Sequence, residues 1–250
     1  MSDDREKAHY SYEHYKSETV AEGFDALRFG GPIGQLVQHE QEVLLMAAFG
    51  PIRGRTILDV GTGTGRAALA FARAGADVTG IDASAEMLAV ARRTAEERKL
   101  AVTFQTGDAH AIPFGDRQFE CAVSLRVIMH TPDWKRCVEE LCRVAKWRIV
   151  VDFPSATSAA AIESRSRQKK QARGEKVEAY RTLKVDDVRA VIEAAGFRVI
   201  GVHKQFVLPI NFHKLFNAPA LTQSVEAILR FAGLLKIFGS PVTLTAERVR

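Results

Sequence analysis

The 250-residue sequence predicts an α/β fold, a doubly wound and mostly parallel sheet of seven strands. Short β-branched runs alternate with alanine-rich amphipathic segments between residues 55 and 153. Helical segments of this length between successive strands mean parallel pairing with helices on both faces. A last alternating segment, SPVTLTAERV at 240–249, closes the sheet.

Each element has a local reason. RTILDV (55–60) is a short buried strand, and RAALAFARA (66–74) is a helix ended by Gly75. DVTGID (77–82) is the second strand. In the next helix (84–99) Ser84 serves as N-cap, and Met87, Leu88 and Ala91 share one face. AVTFQTGDA (101–109) is a third strand leading into a loop, and FECAVSLRVI (119–128) is the fourth strand. PDWKRCVEELCRVA (132–145) is a helix with Trp134, Val138 and Leu141 on its buried stripe, and Asp133 is its N-terminal acid. RIVVDF (148–153) is the fifth strand, stopped by Pro154. A helix, a Gly196 cap and a sixth strand follow over 185–206.

The alternation is interrupted twice, so the reading is one domain over 51–250 with insertions at about 155–182 and 207–239, preceded by an N-terminal helical cap over 1–50. The first insertion holds a basic run, SRSRQKKQARGEK (164–176), within a mild net charge of +5. Such a run is read first as a solvated helix or loop. The second is apolar and aromatic, with Val225, Ile228, Leu229, Ala232 and Leu235 on one stripe. Four readings stand for it: core packing against the sheet, the lining of an acceptor pocket, a dimer contact, or a membrane-surface contact aided by the basic run. Oligomeric state is left open.

Cys121, Cys137 and Cys142 form no CxxC pair and are read as core hydrophobes of a reduced, cytoplasmic protein. The polar N-terminus lacks the apolar core of a signal peptide, and no run is long enough to span a membrane. A cytoplasmic location, with membrane association as the variant, is the expectation. No metal site is expected.

In a doubly wound sheet, ligands sit beyond the carboxyl ends of the strands. That places the loop at Gly61, Gly63 and Gly65, then Asp82, Asp108 and the segment near His130, on one rim. The dinucleotide pattern G-x-G-x-x-G aligns with Gly61 and Gly63 but meets Arg66 where its third glycine belongs. The sequence holds instead acidic-x-G-x-G-x-G, beginning at Asp59, with further acids at the ends of the next two strands.

LDVGTGTG, GIDAS and TGDAHAIPF, in this order, resemble the motifs of the class I S-adenosylmethionine-dependent methyltransferases, chiefly over residues 55–153. The resemblance implies a Rossmann-like methyltransferase fold with the last strand antiparallel, and S-adenosylmethionine as cofactor. It implies that the loop amides of Gly61, Thr62, Gly63 and Gly65 approach the methionine part, with Asp59 orienting the loop or meeting the amino group. Asp82 would accept from both ribose hydroxyls, since a carboxylate offers two acceptor oxygens. Asp108 would accept from the adenine amino group, with Ala109 against the ring. Ala83, Met87 and Arg126 are placed at the cofactor by the same resemblance. Arg28, in a segment similar to the capping helices of small-molecule members, either pairs with the cofactor carboxylate or is a solvated helix arginine. Tyr10, Tyr12 and Tyr15 are candidates for the same lid.

His130 lies in SLRVIMHTPDW, beyond the fourth strand, where the family's acceptor approaches. It is read as catalytic base or as a residue shaping the pocket. That rim lacks the [Asn/Asp]-Pro-Pro-[Tyr/Phe] run and the Pro-Cys pair of several nucleic-acid methyltransferases, which argues against a nucleic-acid partner. The pattern is somewhat like the ubiquinone and menaquinone methyltransferase branch, which implies a small, apolar, lipid- or quinone-like acceptor. Two rivals are a non-catalytic S-adenosylmethionine-binding partner protein and an NAD(P)-dependent oxidoreductase. The oxidoreductase accounts for Asp82 but not for Asp59, Asp108 or Arg66. RVAKWRIVV also lacks the Leu-Lys-Pro-Gly-Gly turn that many family members carry before strand five, so the helix must enter that strand differently.

Overall fold

The computed structural model describes residues 17–175 and 177–249, so Tyr10, Tyr12 and Tyr15 lie outside the described residues. Helices α1 (Glu18–Phe29) and α2 (Gly31–Phe49) precede the sheet. Then follow β1 (Thr56–Val60), α3 (Arg66–Arg73), β2 (Asp77–Asp82), α4 (Ala85–Glu97), β3 (Thr103–Thr106) and β4 (Phe119–Leu125). The chain continues through α5 (Trp134–Val144), β5 (Ala145–Phe153), α6 (Ala160–Ala172), α7 (Val185–Ala194) and β6 (Phe197–Phe206). It ends with α8 (Ile210–Phe216), α9 (Pro219–Phe231), α10 (Leu234–Phe238) and β7 (Ser240–Arg248).

The seven strands lie in the order β3-β2-β1-β4-β5-β7-β6. β1 to β5 pair in parallel, and β7 runs antiparallel between β5 and β6. The central strands are buried on both faces and feed two cores by the two-residue side-chain period. Leu58, Ala122, Ile149 and Val151 join the core packed by α5 and α7. Ile57, Cys121, Val123 and Val150 join the one packed by α2, α3 and α4. All three cysteines are free and buried, and burial pushes the Cys121 and Cys142 thiols up to about 12.

Caps read from the sequence have their hydrogen bonds. Ser84 Oγ accepts from the Met87 amide at 3.0 Å, and Asp133 Oδ1 from the Arg136 amide at 3.1 Å. β3 and β4 both end at the rim, β4 sooner than expected. β3 stops at Thr106: the Gly107 amide makes the last ladder bond, to Asp82 O at 3.0 Å, and the chain then turns, with the Ala111 amide donating to Asp108 O at 3.1 Å. β4 stops at Leu125 because Arg126 adopts φ 58°, a turn conformation. β5 is longer: without a glycine turn, α5 passes into it at Ala145 with no intervening loop.

The second insertion does not pack across the sheet. Its helices lie against α2 and β6, and α9 turns polar Thr222 and Glu226 inward while Ile228 and Ala232 are exposed. Core packing of the whole apolar stripe is therefore not what the fold does with it; Val225, Leu229 and Leu235 are half-buried. Glu226 organises the region. Its carboxylate accepts from the amides of Val207 (2.8 Å) and Leu208 (3.0 Å) and lies 2.9 Å from His213 Nε2. Glu226→Ala should cost this region about 2–4 kcal/mol, because buried donors lose a charged acceptor. Hydrogen exchange at Val207 and Leu208 checks it, with protection expected to fall there and not in β1.

Candidate functional site

The glycine loop is shaped by its neighbours. Gly61, Gly63 and Gly65 all have positive φ. A Cβ on Gly61 would lie 2.2 Å from Val127 Cγ2, so this residue lets the loop after β4 close onto the loop after β1. Gly65 acts differently. It precedes α3 at φ 82°, and a Cβ there would meet Ala91 and Phe104 at 3.1 Å. It secures helix against sheet and, unlike the other expected site residues, does not line the cavity described next.

That cavity, of about 170 Å³, opens at the carboxyl ends of β1, β2, β3 and β4. Asp59, Gly61, Thr62, Gly63, Asp82, Ala83, Met87, Asp108, Ala109, Arg126, Arg28 and His130 all line it. Sequence reasoning missed Phe24, Phe29, Thr64, Arg66 and Val127, which border it as well.

The acids differ in their surroundings. Asp59 is buried and accepts from Thr62 Oγ1 at 2.7 Å; burial pushes its carboxyl up to about 6, although the Thr62 and Ala68 donors oppose this. Asp82 takes the Ser84 amide on Oδ1 at 2.9 Å and the Gly63 amide on Oδ2 at 2.8 Å, tying the loop to β2. Burial raises its carboxyl too, and these amides pull against it. Asp108 Oδ1 accepts from the His110 amide at 2.9 Å and lies 2.8 Å from His110 Nδ1. Its carboxylate holds the His110 imidazole up at about 10, while its own side chain stays 42 % exposed.

Helix α1 covers the glycine loop. Asp25 Oδ1 accepts from Thr64 Oγ1 at 2.9 Å and lies 3.6 Å from Arg66, whose guanidinium stacks over the Phe29 ring at 3.3 Å. Arg28 is neither a solvated helix arginine nor aimed at open space. Its Nη2 donates to both carboxylate oxygens of Glu178, at 2.5 and 2.6 Å. Behind the site, buried Asp152 accepts from the Arg126 amide that begins the turn after β4, and Gln41 reaches it at 3.4 Å.

A second, larger cavity of about 440 Å³ adjoins the first. Leu27, Val37, Met129, Phe206, Leu208 and Ile210 supply its apolar walls, and Glu163, Arg167, Glu178 and Lys214 its charges. Arg28, Phe29, Arg126 and His130 border both cavities. His130 is buried, with Nε2 3.4 Å from Glu178 Oε1 and its ring edge-on to Tyr180. α6 holds Glu178 and Tyr180 in place: Arg167 Nη1 donates to Glu178 O at 3.2 Å, and Ser164 Oγ to Tyr180 O at 2.5 Å. The start of the basic run, at Ser164 and Arg167, thus supports the cavity wall, while most of the rest is exposed.

A family model described as a methyltransferase domain matches residues 57–147, the stretch that carries the glycine loop and all three acids. Residues 57–147 are a class I S-adenosylmethionine-dependent methyltransferase domain. A demethylmenaquinone methyltransferase of Thermus thermophilus is 39% identical to the chain over 105 residues, 40% of this chain and 48% of that protein. An uncharacterized protein of Mycobacterium tuberculosis is 34% identical over 103 residues, 41% of this chain and 38% of its own length. The chain thus spans less than half the length of these curated relatives. Among solved structures, the magnesium protoporphyrin IX methyltransferase of Synechocystis PCC 6803, with bound S-adenosylhomocysteine, superposes with a TM-score of 0.66 at 20% identity. The match covers 96% of this chain and 99% of that one. It shows that the methyltransferase fold continues through the two insertions and β7.

The cavity of the methyltransferase domain suits its family's cofactor on chemical grounds. Carboxylates, each a group of two acceptor oxygens, stand at the ends of β1 and β2 and just past the end of β3. Met87, Ala83 and Ala109 provide an apolar bed for a planar ring.

Proposed function

We propose that the chain binds S-adenosylmethionine in the first cavity and transfers its methyl group to a small, largely apolar acceptor held in the second. The observation that carries this reading is the common wall: two cavities of different character meet at His130, flanked by Arg28 and Arg126. The quinone-type relative supports an aromatic, lipid-like acceptor.

Asp82 would hold the ribose hydroxyls, Asp108 the adenine amino group and Asp59 the amino group of the methionine part. When bound, the cofactor supplies a methyl carbon activated by positively charged sulfur. The protein's part is to hold an acceptor lone pair in line with the breaking bond, to exclude water and to remove a proton where the acceptor carries one. His130 is placed to take that proton. The Glu178 carboxylate at 3.4 Å offsets the positive charge the ring then gains, and Arg28 fixes that carboxylate. Arg126, in its left-handed turn braced by Asp152, closes the wall between the two ligands.

Calorimetric titration with S-adenosylhomocysteine, and with NADH as control, tests the cofactor half. Binding of the first alone is expected; binding of NADH alone would overturn the proposal. Asp59 adds a pH dependence. Its carboxyl is largely protonated below about 6, and a ligand ammonium favours the carboxylate. Affinity for S-adenosylhomocysteine should therefore fall as pH drops through about 6, with a proton released on binding near that pH. Titrations in buffers of different ionisation enthalpy measure the release. For the acceptor half, phenols and quinols presented in detergent with S-adenosylmethionine should yield a methylated product.

A further inference from the structure

The second insertion presents an unusual surface. Phe231 is 96 % exposed, Leu215 78 %, Ile228 68 % and Phe216 54 %. They are not scattered. Phe212, Leu215 and Phe216 follow helical spacing on α8, and Leu221, Ile228 and Phe231 share one arc of α9. The inward faces of these helices are held by His213 and Glu226, so the apolar side is left outward by construction.

Two observations name the occupant. The patch carries exposed cations of its own, Arg230 and Lys236, and α6, whose first turns border the same cavity as α8, exposes Arg165, Lys169 and Lys170. α6 and α8 border the same cavity, and Thr157, ahead of α6, donates to Ile237 O of α10 at 2.6 Å. The patch is also continuous with the second cavity. Ile210 and Lys214 of α8 line that cavity, and Lys214 Nζ donates to the last carbonyls of α1, Leu27 O at 2.9 Å and Arg28 O at 3.0 Å. Exposed aromatic and aliphatic side chains interleaved with cations match an anionic lipid surface, with apolar groups among the acyl chains and cations among the headgroups. No helix of the described residues is long and apolar enough to cross a membrane, so the contact is with one leaflet.

We propose that α8, α9 and α10 dock on an anionic bilayer and that the acceptor passes from that bilayer into the second cavity beside α8. The acceptor's route rests on the reading of the second cavity as the acceptor site; the docking surface does not.

Co-sedimentation of the full chain tests it, with vesicles of phosphatidylcholine alone or of an equimolar mixture with phosphatidylglycerol. Binding to the anionic vesicles, weakened by salt, is expected. The triple variant Leu215→Ser/Ile228→Ser/Phe231→Ser should lose it while keeping its affinity for S-adenosylhomocysteine. Lys169→Gln/Lys170→Gln should weaken partitioning about fivefold per charge removed, and this pair decides the matter if the triple variant does not fold. Equal sedimentation of wild type and triple variant, or of wild type with both vesicle types, overturns the proposal. So does light scattering that shows a dimer split by the triple variant, which would give the face to a second copy of the chain. Failure of the cofactor reading would appear in calorimetry and leave the sedimentation result standing.

Discussion

Asp82→Ala is expected to weaken S-adenosylhomocysteine binding about 100-fold or more, since hydrogen bonds to a charged acceptor contribute about 1.5–3 kcal/mol each. Asp82 acts twice in this prediction. It would accept from the ribose, and it already holds the amides of Gly63 and Ser84, so its loss frees the glycine loop from β2 as well as removing the acceptor. Asp82→Asn separates the two effects: it keeps one acceptor oxygen and the side-chain shape, and should lose affinity less than alanine does. Calorimetry gives the affinities, and thermal unfolding of both variants shows whether the fold is intact. Unchanged affinity in a folded Asp82→Ala protein would mean that the cofactor lies elsewhere.

His130→Ala should leave S-adenosylhomocysteine affinity nearly unchanged and lower turnover by about 10²–10⁴-fold, the usual range for a positioned general base. The assay uses whichever phenol or quinol the wild type methylates. The comparison of the two readouts carries the inference, because His130 borders both cavities. Parallel loss of affinity and turnover would make it a wall of the cofactor site. Full turnover in the variant would show that the acceptor loses its proton without help from the ring.

The first five strands and the helices between them were legible because each is a periodic run closed by its own cap or glycine. The acids of the first cavity were legible for a related reason. Asp59, Asp82 and Asp108 stand at or just past the ends of three consecutive strands, so sequence order alone puts them on one rim. Glu178 was not legible. It lies in an irregular segment after a basic helix, and it reaches its partner Arg28 across 150 positions of chain. Asp152 was hidden inside an apolar strand, where nothing local marks a carboxylate as the support of a turn 26 residues away. The stripe on α9 has the spacing of a core helix. Glu226, buried beside Thr222, reverses that reading by giving the inner face hydrogen-bond acceptors that leucine lacks.

The shared wall of Arg28, Phe29, Arg126 and His130 also has a thermodynamic consequence. If an occupant on one side moves that wall, the two ligands are linked, and by reciprocity each alters the other's affinity by the same factor. An acceptor can then be detected without any reaction, as a compound whose presence changes the heat of S-adenosylhomocysteine binding. That turns the spent, unreactive form of the cofactor into a reporter for the unidentified second ligand.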